Sequence, residues 1–202
     1  MIAYKDDCIL KKIDRLKQNK TLRVLDLFSG CGGLSLGFHK TGYEIVANVE
    51  LDEEAALSHA INFHANCKNV SQFSKARDIQ KTTPSNLFKE LGYNEQPEEL
   101  IDVIVGGPPC QAFTRIGRAK LRETFKDSKA FLKDQRSQLY KAYLEYVKAL
   151  KPLVVLMENV PDMLNYGGIN IADLACNDLS FFGYDCKYTI LNTAHFGIPQ
   201  MR

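Results

Sequence analysis

Six cysteines are present, Cys8, Cys31, Cys67, Cys110, Cys176 and Cys186, yet none stand as a C-x-x-C pair and no histidine spacing typical of zinc accompanies them. No metal site is indicated, and a reducing, cytoplasmic compartment fits best. No apolar run approaches the ~18 residues that a membrane span needs, and no signal peptide is recognisable. Internal repeats, low-complexity tracts and linkers are lacking. A net charge of +2 is too small to demand a nucleic-acid partner. His39, His59, His64 and His195 have no partners in sequence and read as surface or packing residues. What is there is a chain of 202 residues, 45% of them hydrophobic, which suffices for one substantial core and predicts a single domain over 1–202.

The coarse pattern alternates. A charged amphipathic helix over 5–19 puts Cys8, Ile9, Ile13 and Leu16 on one side. Strand 22–28, helix 34–41 and strand 43–50 follow, and Asp52 caps a helix over 53–63. A short strand is expected near 69–79, a helix from Pro84 to Leu91, and a strand over 100–106. Between Arg115 and Arg136, eight basic residues stand against three acidic ones with no clear apolar periodicity, which predicts a long loop with a basic face or a merely solvated one. A helix from about Ser137 to Leu150, a buried strand at 152–157, a helix over 169–182 and a strand at 184–192 complete the chain. Strands alternating with helices predict an α/β fold with a parallel sheet.

Three segments carry chemistry. In Gly106-Gly107-Pro108-Pro109-Cys110-Gln111 a cysteine follows an apolar strand on a turn stiffened by two prolines of fixed φ. The carboxyl edge of an open α/β sheet is where ligands bind, so Cys110 is a candidate nucleophile, although an arbitrary cysteine is more often a small buried hydrophobe. In Leu25 to Leu34, glycines occupy a strand-to-helix turn that lets a ligand approach the backbone. Ser35 stands where the dinucleotide fingerprint needs glycine, and no G-K-[ST] follows, which excludes a P-loop. Glu50, one strand later, can accept both hydroxyls of a ribose. A glycine turn and a ribose acid without a pyrophosphate fingerprint suit an adenosine ligand lacking phosphates, such as S-adenosylmethionine. Alone, the same residues read more readily as a tight turn with a solvated glutamate. Third, Glu158-Asn159-Val160 ends another strand on the same rim, where a carboxylate screened from water can hold a proton.

Taken in order, these segments resemble the cytosine-C5 DNA methyltransferases. Asp26 to Gly33 matches the cofactor turn, Glu50 the ribose acid, Pro109-Cys110-Gln111 the Pro-Cys-Gln motif and Glu158-Asn159-Val160 the Glu-Asn-Val motif. Ala76-Arg77-Asp78-Ile79 looks like the segment whose aspartate meets the adenine amino group. Leu191-Asn192-Thr193 and Gly197 to Arg202 resemble the start of a Gln-x-Arg-x-Arg motif. The resemblance spans about residues 22–202 and implies a Rossmann-like fold that binds S-adenosylmethionine. Phe28, Ser29, Gly30, Cys31, Gly32, Gly33, Glu50, Leu51, Asp78, Ile79, Pro109 and Leu139 would line the cofactor. Cys110 would add to cytosine C6, Glu158 would stabilise charge developing toward N3, Asn159 would hold the Glu158 loop, and Arg202 would complete the catalytic group. Gln111, Thr114, Arg115, Arg118 and Gln200 would touch double-stranded DNA carrying a flipped cytosine. A bacterial restriction-modification enzyme near the nucleoid is the leading expectation. A tRNA methyltransferase of the same fold, or a catalytically silent fragment or subunit, are the alternatives.

Members of that family continue beyond Arg202 with a second arginine, a final antiparallel strand, a target-recognition domain and a closing segment. The fold is therefore expected to be incomplete at its C-terminus, with an unfilled slot between strands 152–157 and 184–192, and truncation is favoured over a split enzyme completed by a second chain.

Overall fold

A computed structural model describes residues 6–109, 135–165, 168 and 170–200. They form two compact units, one of residues 6–109 with 135–159 and one of the described residues from 160 onward.

The first unit is built on a parallel sheet. Its strands are β1 (Arg23–Leu27), β2 (Glu44–Val49), β3 (Val103–Gly106) and β4 (Val154–Met157), in the order β2-β1-β3-β4. The helices are α1 (Asp7–Lys17), α2 (Gly33–Lys40), α3 (Glu53–His64), α4 (Val70–Phe73), α5 (Pro84–Glu90), α6 (Pro97–Leu100) and α7 (Gln135–Leu150). Val24, Val103 and Val105 share one sheet face with Ile45, against which Leu34, Phe38 and Phe63 of α2 and α3 pack. Period-two alternation turns Leu25, Leu27 and Ile104 to the opposite side, where all three are fully buried. Three of the sequence-read starts have a side-chain cap: Asp52 accepts from Ala55 N–H at 2.8 Å, Thr83 from Asn86 N–H at 3.2 Å ahead of Pro84, and Asp6 from Cys8 N–H at 3.1 Å.

Several expectations need correction. The strand near 69–79 is instead α4 and an irregular stretch, because Phe73 is drawn inward to stack on His64 with ring centroids 3.9 Å apart. Strand 152–157 is not buried: among the described residues β4 pairs with β3 alone, and Val154 and Leu156 are exposed. On α1 the buried positions are Cys8 and Lys12, while Ile9, Ile13 and Leu16 are only half-buried. Lys12 goes inward because its ammonium donates to Leu150 O at 2.8 Å and Lys151 O at 2.7 Å, the otherwise unpaired carbonyls at the end of α7.

In the second unit, a 3₁₀ turn (Pro161–Asn165) precedes α8 (Ile171–Phe181), and a second one (Thr193–Phe196) follows. The expected strand at 184–192 does not form: the segment carries no ladder hydrogen bonds. A strand needs a paired neighbour, and here Gly183, at φ 94°, turns the chain back along α8 instead. Among the described residues no helix is long and apolar enough to cross a membrane.

Candidate active site

Register alone gathers the sequence-read groups of the first unit at one rim. Leu27 pairs with Gly106, and Gly106 with Met157, so the Phe28 turn, the Gly107–Pro109 segment and Glu158–Asn159 all leave the sheet at its carboxyl edge. β2 ends beside β1, adding Glu50 to the same edge.

The turn after β1 is tightly bound to its neighbours. Phe28 N–H donates to Val49 O at 2.8 Å, with Phe28 held at φ 58°, a left-handed conformation unusual for a bulky residue. Gly32, at φ 97°, begins α2 where a Cβ would lie 2.4 Å from the Phe63 ring, so both its conformation and its packing require glycine. Glu50 organises the loop: Oε2 accepts from Gly30 N–H at 2.8 Å and Oε1 from Asp52 N–H at 2.9 Å. Each carboxylate oxygen keeps a lone pair for a ligand hydroxyl. Cys31 is exposed, and its carbonyl accepts from Asn62 at 3.4 Å. Ser29 is buried and Leu51 exposed. Asp78 accepts from Gln80 N–H at 3.0 Å and pairs with Lys81 at 3.3 Å, beside the buried Ile79.

Beneath this turn lies a network that the sequence reading missed. The Ser35 hydroxyl donates to Asp26 Oδ2 at 2.7 Å and lies 3.0 Å from His59 Nε2, all three being buried. Since the single hydroxyl proton goes to Asp26, His59 must donate from Nε2, which leaves Nδ1 as the unpaired acceptor it is found to be. Burial pushes the Asp26 carboxyl up to about 6, with Ser35 opposing the rise. Burial, then His64, pushes His59 down to about 3. Ser35, the residue that breaks the dinucleotide fingerprint, is thus the tie between β1, α2 and α3. The i, i+9 spacing of Asp26 and Ser35 was visible, but nothing in sequence brings His59 to them.

The β3 and β4 ends are locked together. Glu158 N–H donates to Gly106 O at 3.0 Å, and Asn159 Nδ2 donates to Pro108 O at 3.0 Å. A Cβ on Gly106 would stand 2.3 Å from Leu27 O, and one on Gly107 would stand 3.1 Å from Glu158 Oε2. Asn159 therefore holds the Pro-Pro segment itself, beyond the expected role on the Glu158 loop. Pro109 and Glu158 are exposed, and Leu139 is half-buried on α7. Cys110, Gln111, Thr114, Arg115, Arg118 and Arg202, with most of the basic stretch, lie outside the described residues. Gln200 belongs to the second unit, where its carbonyl accepts from the Thr193 hydroxyl.

Comparison with known proteins finds relatives for the chain. Residues 22–202 match the family model described as C-5 cytosine-specific DNA methylase. A protein of Oceanobacillus iheyensis named "Putative type II methyltransferase M.OihORF3336P" is 40% identical over 91% of this chain and 38% of its own length. Type II methyltransferase M1.HphI of Haemophilus parahaemolyticus is 32% identical over 90% of this chain and 44% of its own. The crystal structure of the S. pombe Dnmt2 methyltransferase, 24% identical, superposes with a TM-score of 0.59 over 91% of this chain and 47% of that one, which shows the fold. The chain thus spans about two fifths of the length of the curated relatives it matches. With the glycine turn and the paired strand ends falling inside one continuous match, the chain belongs to the C-5 cytosine-specific DNA methylase family.

Proposed function

We propose that this chain carries the cofactor-binding and catalytic part of a methyltransferase that moves a methyl group from S-adenosylmethionine to C5 of cytosine in double-stranded DNA, within a bacterial modification system. One observation carries the reading: Asn159 on Pro108, and Glu158 against Gly107, fix the segment that leads into Cys110 beside the rim that holds Glu50 and the glycine turn.

The residues at the turn fit the cofactor. A Cβ on Gly30 or Gly33 would meet nothing within 4 Å, so a ligand can approach the backbone there, and Glu50 has capacity for two ribose hydroxyls. Asp78 would take the adenine amino group, and Phe28, Leu51, Ile79, Pro109 and Leu139 would border it. S-adenosylmethionine, when bound, supplies an electrophilic methyl group. Cytosine C5 is too poor a nucleophile to take it unaided. In this reading the Cys110 thiolate bonds to C6, the ring electrons move toward N3, and Glu158 holds the charge there by a hydrogen bond or a proton. Once C5 is methylated, loss of its proton returns the electron pair to the ring and breaks the bond from sulfur to carbon. Duplex stacking hides both faces of C6, so the base must leave the helix, at a cost of about a few kcal/mol that contacts along the DNA have to offset. Gln111, Thr114, Arg115, Arg118 and Gln200 are the proposed DNA contacts, and Arg202 is the remaining proposed member of the catalytic group.

Calorimetric titration with S-adenosylmethionine tests the first half: Glu50→Ala should weaken saturable binding by about tenfold or more, equivalent to one good polar contact. Unchanged affinity removes Glu50 from the cofactor. Trapping on duplex DNA containing 5-fluorocytosine tests the second half, with the adduct expected on Cys110 and lost in Cys110→Ala. An adduct elsewhere, or methyl transfer to tRNA and not to DNA, overturns that part.

A further inference from the structure

The second unit contains a thiol pair that the proposed chemistry leaves unused. After Gly183 reverses the chain, Tyr184 N–H donates to Leu179 O at 3.1 Å. Two residues on, the Cys186 thiol lies close enough to Cys176 on α8 for that sulfur to raise its pKa, after burial. Two further, the Tyr188 hydroxyl accepts from Asn170 Nδ2 at 2.9 Å and donates to Asp173 Oδ1 at 2.8 Å. The partners run 179, 176 and 173 as the segment runs 184, 186 and 188, so the chain descends the helix in fixed register and the two thiols are held together from both sides. Both cysteines are free and partly open to solvent. Little apolar burial holds the chain just past Tyr188, since Ile190 and Leu191 are 61% and 63% exposed. Cys8, by contrast, is buried with its thiol on Glu98 O.

We propose that Cys176 and Cys186 are a redox modification site, closing to an intramolecular disulfide that fastens residues 184–188 to α8. The oxidant is a small-molecule disulfide of the glutathione type. One cysteine thiolate attacks it, releasing one reduced thiol and leaving a mixed disulfide. The other cysteine, after losing its proton to water, then displaces the second thiol. Two protein S–H bonds and one S–S bond are thus exchanged for one protein S–S bond and two small-molecule thiols. Burial, and after it the Cys176 sulfur, push the Cys186 thiol up; either cysteine can make the first attack, and the product is the same disulfide.

Trypsin does not cut the Lys151–Pro152 bond, and no other Lys or Arg lies between Lys148 and Lys187, so trypsin releases both cysteines in one peptide, 149–187. After the whole chain is treated with oxidised glutathione and remaining thiols are alkylated, that peptide should be two hydrogens lighter and free of alkyl groups. Chymotrypsin acting at Phe181 or Phe182 should separate its halves only after reduction. In Cys176→Ser, Cys186 should stay open to alkylation or carry glutathione. Amide exchange over 184–188 should slow by about tenfold or more on oxidation, as a local opening becomes covalently restrained. Alkylation of both cysteines after oxidation, a lasting glutathione adduct on either, linkage to any other cysteine, or exchange that oxidation leaves unchanged overturns the proposal.

Discussion

Asp26→Asn isolates the electrostatics beneath the glycine turn. Asp26 is 1% exposed, its Oδ1 has no partner, and its carboxyl is raised from 3.8 to about 6 chiefly by burial. The folded chain therefore holds the Asp26 proton more tightly than the unfolded one. This advantage is complete below about pH 4 and is lost as pH rises through about 6. A shift of about two units amounts to about 3 kcal/mol at neutral pH. Asparagine keeps the acceptor for Ser35 but cannot ionise. Its stability relative to the wild type should consequently climb by about 3 kcal/mol between about pH 4 and pH 7, whatever constant offset the substitution adds. His59 works in the opposite direction, since its lowered value makes the fold lose stability as pH falls below 6.5, but both proteins carry it and it cancels in the difference. Urea unfolding followed by circular dichroism across that range gives the measurement. A difference flat to within about 0.5 kcal/mol would mean that Asp26 is not ionised in a buried site, and the account of the network would fail.

Gly106→Ala drives a Cβ into Leu27 O and should lower stability by about 3 kcal/mol, read as a fall in urea midpoint; an unchanged midpoint would show that β1 and β3 can part at their carboxyl ends. Lys12→Met tests the buried ammonium, whose proton affinity burial lowers to about 8. Because the unfolded chain holds that proton more tightly, wild-type stability should rise as pH goes from about 8 to 10.5, and the variant should lack the rise. Asn159→Ala frees Pro108 O and should cost about 1 kcal/mol of stability. In the proposed enzyme it should lower the methyl-transfer rate more than S-adenosylmethionine affinity, which calorimetry and single-turnover assays separate.

The sequence by itself determined the parallel α/β framework, because apolar strands, capped helix starts and the Gly-Gly-Pro-Pro stop are local signals read from neighbouring residues. It also located Glu50, Pro109 and Glu158–Asn159 on one rim, since period-two strands in a parallel sheet must end together. Other features waited for the tertiary structure because they depend on residues far apart in the chain. Ser35 looked like a defect in a glycine motif until Asp26 and His59 closed around it. Lys12 is not among the residues that the sequence puts on the apolar side of α1, and its burial depends on carbonyls at the end of α7, 138 and 139 residues away. The segment 184–192 has strand-like composition, yet backbone pairing is a property of the neighbour as much as of the segment. With Gly183 turning it back, Cys186 and Tyr188 found their partners on α8 instead of in a ladder.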